Sequence, residues 1–104
     1  MLRIYADYLG LLRELRSVIA AIERRDVDLG RQLRRAAASV ALNMAEGSGN
    51  AGGTRRQRYL SALGSAREVG ACLDVADALG YVVVDVAVAR RLDAVVGVLV
   101  RLVG

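Results

Sequence analysis

A chain of 104 residues that is 55% hydrophobic and 25% charged has room for one domain and too much apolar content for disorder. One Cys, no His and no Lys exclude an internal disulfide, a Cys/His metal cluster, a histidine general base and a Schiff-base or phosphate-loop lysine. Fifteen Arg against eleven acids give a net charge of +4 and a pI near 10.0, a balance that suits a polyanionic partner.

With no Pro, and four Tyr as the only aromatic residues, the chain favours long, unbroken helices packed with aliphatic side chains. The first is predicted over residues 2–24. Leu2, Tyr5, Tyr8/Leu9, Leu12, Leu15, Val18/Ile19 and Ile22 recur at steps of three and four, one face of a 3.6-residue helix. Arg3, Asp7, Arg13, Glu14, Arg16 and Glu23 fall mostly on the other face. Residues 24–28 break the pattern, and Asp28 is the expected N-cap of a second helix over 29–46, with Leu29, Leu33, Ala36/Ala37, Val40 and Met44 inward.

Residues 47–53 (Gly-Ser-Gly-Asn-Ala-Gly-Gly) form the one cluster of helix breakers, each Gly costing about 1 kcal/mol relative to Ala within a helix. Thr54 and Gln57 have capping-box spacing and predict a restart at residue 55. This third helix is expected to run to 79, with Leu60, Leu63, Ala66, Gly70, Leu73 and Ala76 along one stripe and Gly80 as the left-handed residue that ends it. Residues 81–88 are rich in β-branched side chains, which suits a strand, but no other segment alternates with period two to pair with it. Leu92, Val95/Val96, Leu99 and Leu102/Val103 resume helical spacing, so a fourth helix is expected over 85–102, capped by Asp85. The architecture that follows is all-α: one domain over residues 1–104, an antiparallel up-down-up-down four-helix bundle. The start of the chain lacks the basic and apolar stretches of a signal peptide, and the apolar run 94–100 is far short of a membrane span. A soluble, cytoplasmic protein without a membrane partner is expected.

The second and fourth helices are apolar around most of their circumference. A broad second apolar face is a mark of an interface, and self-association is the reading it supports. Polar residues form stripes of their own. Gln32, Arg35, Ser39, Asn43 and Glu46 line one side of the second helix, and Ser61, Ser65, Glu68 and Cys72 one side of the third. Facing each other, the stripes would satisfy their own hydrogen bonds. Asn43 would donate to Glu68 or to a nearby backbone carbonyl, and Glu46 would accept from Arg35 or from the glycine-rich segment. Two carboxylates, Glu46 and Glu68, allow acid/base chemistry on paper. No nucleophile, metal-ligand set or phosphate loop accompanies them, so no catalytic, metal or cofactor site is assigned. Close helix contact accounts for Gly64 and Gly70 in mid-helix, and Cys72 reads as a small buried hydrophobe.

Residues 31–58 hold Arg31, Arg34, Arg35, Arg55, Arg56 and Arg58 against a single acid, Glu46, a local excess larger than that of the whole chain. A GC-rich genome explains Arg in place of Lys but not this clustering. Guanidinium forks match phosphate oxygens, so these six are the candidate nucleic-acid contacts; the bland alternative is a solvated face with internal ion pairs.

The stretch from Gln32 to Gly49, with Asn43-Met44-Ala45-Glu46-Gly47 at its centre, is one half of a recognisable pattern. The stretch from Arg58 to Val69, with Gly64-Ser65-Ala66-Arg67-Glu68, and then Ala78-Leu79-Gly80-Tyr81, is the other. Over residues 29–81 this resembles the bacterial four-helix bundle family first noticed as proteins encoded in intervening sequences of large-subunit (23S) ribosomal RNA genes. The accessory variability determinant of diversity-generating retroelements is similar. The resemblance implies a homopentamer with a positive surface and, for the retroelement members, binding to nucleic acid (RNA or DNA) and to a reverse transcriptase. It also implies motif roles for Asn43, Glu46, Gly47, Gly64, Ser65 and Glu68. Departures are residues 50–53, where a basic residue and a serine are usual, Tyr59 in place of Phe, and the lack of Lys. Two functions therefore stand from the sequence: a non-enzymatic oligomeric bundle that binds structured RNA or a nucleoprotein partner through its Arg, and a module that recruits a partner protein through an apolar face.

Overall fold

Apolar spacing of three and four, with no Pro to interrupt it, gives four helices in the computed structural model, which describes residues 3–49 and 52–104. They are α1 (Arg3–Arg25), α2 (Val27–Gly49), α3 (Gly52–Ala78) and α4 (Val86–Val103), with no strand among the described residues. Leu2, assigned to the first stripe, and Asn50 and Ala51 of the glycine-rich segment lie outside the described residues. The longest dimension, 42 Å, matches the roughly 40 Å that the 27 residues of α3 span at 1.5 Å each, so the helices run along it. In sequence order each helix packs on the next, and α4 closes back on α1. Paired residues run in opposite order between neighbours: Glu46 meets Arg58 and Ser39 meets Ser65, while Gly70 meets Leu92 and Arg56 meets Val103.

The ends of the helices differ from the expected ones in instructive ways. Asp26, not Asp28, caps α2: its Oδ1 accepts from Leu29 N at 3.0 Å, so the helix begins two residues early. The glycine-rich segment is the larger correction. Gly47, Ser48 and Gly49 continue α2, and Gly52 and Gly53 open α3, so Thr54 sits in the first turn and not at the cap. Ser48 Oγ donates back to the Ala45 carbonyl at 2.9 Å, so its hydroxyl is satisfied within the continued helix. Gly80 does end α3: its φ is +77°, with Gly80 N donating to Asp77 O and Tyr81 N to Ala76 O, a Schellman arrangement. Residues 82–85 are irregular, and Asp85 caps α4 through Ala87 N at 2.8 Å.

The core is aliphatic. Ile4, Tyr8, Leu11, Leu15, Ile19 and Ile22 from α1 meet Leu33, Ala36, Ala37, Val40 and Met44 from α2. The inward stripe of α1 is rotated from the expected one: Leu11 is fully buried, and Tyr5 and Leu12 stand half-buried at its border. On α3, Tyr59, Ala62 and Val69 are buried, whereas Leu60 and Gly70 are intermediate. Tyr8 reaches across the core and donates to the Ala37 carbonyl at 2.7 Å, so its hydroxyl is buried without an orphaned proton. Gly64 is exposed with open space beyond it, and a Cβ at Gly70 would make only ordinary contact with Leu92, so close helix approach does not account for either. The close approaches occur at Gly30, against Glu23 of α1, and at Gly47. A methyl group at Gly47 would stand 2.6 Å from Tyr59 Cε1.

Candidate nucleic-acid interface

The two polar stripes do face each other. Ser65 Oγ of α3 donates to Ser39 Oγ of α2 at 2.8 Å, and Asn43 Nδ2 bonds to the Ser39 carbonyl at 3.0 Å and to its Oγ at 3.1 Å. Asn43 thus takes the backbone-carbonyl option and leaves Glu68 aside. Glu68 stays exposed, 22 residues along the chain from Glu46, and the two carboxylates share no contact. Glu46 pairs with Arg58 of α3 at 3.0 Å, in place of Arg35 or the glycine-rich segment. Burial, and then the Glu68 carboxylate, raise the Cys72 thiol above its ordinary pKa, which keeps it protonated and inert. Among the described residues no group of three or more His, Cys, Asp or Glu is placed to hold a metal ion, and no helix is long and apolar enough to cross a membrane.

All six candidate Arg are exposed. Arg35 and Arg58 open onto one groove of about 350 Å³ along the α2/α3 face, with Ser39, Leu42, Asn43 and Glu46 between them. Arg31 stands one turn from Arg35 on α2, and Arg55 and Arg56 precede Arg58 in the first turns of α3. Several of them have protein partners: Arg34 pairs with Glu23, Arg58 with Glu46, and Arg56 Nε donates to the Val103 carbonyl at 3.0 Å. The two ion pairs are open to solvent, with side chains between 29% and 61% exposed, the kind worth about 0–1 kcal/mol, so a phosphate can displace either carboxylate at little cost. The cluster is therefore drawn out along the face of α2 and α3, with Arg34 turned toward α1 and Arg56 toward the end of α4.

Sequence spacing missed Arg13 and Arg16. Assigned to the solvated side of α1, they border an apolar groove of about 550 Å³ between α1 and α2, together with Arg34. The available signal was their position beside Leu9 and Leu12, which the rotated stripe leaves half-buried at the edge of the core. The cross-helix role of Arg91, which bonds Glu14 at 2.6 Å and reaches the Asp7 carbonyl, was also invisible to spacing.

No curated protein and no solved structure matches the chain. A family model described as 23S rRNA-intervening sequence protein matches residues 2–95, all of α1, α2 and α3 and half of α4. The chain belongs to the 23S rRNA-intervening sequence protein family.

Proposed function

We propose that this protein is a non-enzymatic, cytoplasmic, single-domain bundle of up-down-up-down order that assembles as a homopentamer and binds structured RNA, or a nucleoprotein partner, through the Arg-rich α2/α3 face. The observation that carries the reading is the row formed by Arg31, Arg35, Arg55, Arg56 and Arg58, all exposed on two adjoining helices, in a stretch (residues 31–58) whose only acid is Glu46. Such a row neutralises phosphates and releases counterions, giving affinity that is sensitive to salt and blind to sequence. Symmetry would repeat the row five times around an axis and raise its effect. Membership of a family described by an rRNA intervening sequence supports a nucleic-acid setting.

Fluorescence anisotropy with mixed-sequence RNA and DNA duplexes at two salt concentrations tests it. Binding is expected at about 50 mM salt, with a loss of about a thousandfold by 200 mM if six phosphates are engaged. No binding at the lower salt overturns the proposal.

The rival reading, a protein-recruiting module, draws on the exposed apolar side chains, Leu42 at 66% among them. Replacing Arg55, Arg56 and Arg58 by Glu separates the two: nucleic-acid binding is lost under the first reading, and partner capture is unchanged under the second.

A further inference from the structure

We infer that the acidic, apolar edge where α3 ends and α4 begins is the surface that docks against the α1/α2 groove of a second copy of this chain. This rests on the proposed self-association and assigns the faces that carry it. The groove has Leu9, Leu12 and Ile19 along its floor and Arg13, Arg16 and Arg34 at its rim. Arg34 is paired with Glu23, whereas Arg13 and Arg16 have no partner among the described residues. What fills such a groove must be apolar and negatively charged together.

The molecule carries that combination on its opposite edge. Leu79, Val83 and Val86 are 57%, 93% and 62% exposed around the α3–α4 connection. Asp74, Asp77 and Asp93 stand beside them, with Arg90 as the one cation in the same depression. Val83 lies outside the helices and packs on nothing that would explain an exposed valine. Because each helix packs on its sequence neighbours, the α1/α2 edge and the α3/α4 edge lie on opposite sides of the bundle.

The contact must be head-to-tail. A two-fold contact through either face would set like charges against each other, whereas joining the two faces pairs Asp with Arg and apolar with apolar. Both edges of one copy can be engaged at once, so the contact repeats from copy to copy, closes into the proposed ring where each step turns by one fifth of a circle, and leaves the α2/α3 face open.

Sedimentation velocity on the full chain and two charge-reversed variants tests this. One carries R13E and R16E, the other D74R and D93R. All four positions are exposed, and none makes an internal bond among the described residues. The wild-type chain is expected to assemble, and each variant to sediment as a monomer with association weakened at least a hundredfold. An equimolar mixture of the two should re-associate, and so should a chain carrying all four substitutions. V83R, outside the helices, is expected to dissociate the assembly without any burden on folding. Circular dichroism checks the helicity of each. Variants that assemble like the wild type, dissociation by only one of the pair, or a mixture that stays monomeric would overturn the assignment of faces while self-association stands. A wild-type chain that is itself monomeric overturns both.

Discussion

Two glycines set opposite expectations for the same substitution. Gly47 is buried under the ring of Tyr59, with no room for a methyl group. G47A should cost about 1–3 kcal/mol, the range for overpacking. Gly64 is exposed, helical and open, so G64A should stabilise by about 0.5–1 kcal/mol through helix propensity. Urea midpoints at constant m-value read both. Tyr8 governs alkaline behaviour. Burial raises its pKa above the ordinary value of 10.0, so the unfolded chain loses the proton first. Stability is whole below pH 10 and falls as pH rises beyond it. Y8F should cost about 1 kcal/mol at neutral pH, since the Ala37 carbonyl keeps its helical partner, and should flatten the loss of stability between about pH 10 and 11. Gly47 could be named from a sequence motif; what it accommodates could not, because the Tyr59 ring arrives from another helix.

The helices were legible as elements and less so at their ends. Periodicity located all four, since a stripe of aliphatic residues at steps of three and four survives small errors in phase. It misjudged the start and end of α2 because Asp26 and Asp28 are equivalent as letters, and only the chain direction decides which faces the free N–H groups. Nor does a Gly count register that the continuing helix brings Gly47 against Tyr59. The α4 cap was plain because residues 82–84 carry no competing capping side chain. D85A should cost about 1 kcal/mol, and D85N, which keeps an accepting oxygen, should recover most of it in the same denaturation experiment. The polar stripes were read as facing each other, and Ser39 and Ser65 bear that out. The partner of Glu46 was missed because Arg58 comes from the neighbouring helix.

At the scale of the whole molecule the four edges differ in character. One is polar and basic, one apolar and basic, one apolar and acidic. The fourth, between α1 and α4, is bridged by the side chain of Arg91, lying over Gly10 to meet Glu14 and the Asp7 carbonyl. R91A should lower stability by less than about 1 kcal/mol, since the pair is about half exposed, yet hydrogen exchange should speed up in the first half of α1 more than in α2 or α3. Uniform acceleration would show that the edge is held by its apolar contacts alone. None of these distinctions can be read along the chain, since each depends on which helices become neighbours.

Tyr81 follows the Schellman turn that ends α3, and its hydroxyl is 3.3 Å from Asp26 Oδ2 while its ring lies 5.5 Å from the Arg25 guanidinium. The residue thereby ties the hinge between α1 and α2 to the link between α3 and α4. Slippage of either helical pair by one turn would carry these groups about 5 Å apart and undo both contacts at once. Tyr81 works as an alignment pin: it rewards one longitudinal setting of the two hairpins and penalises the neighbouring settings that a greasy, repetitive core would otherwise tolerate.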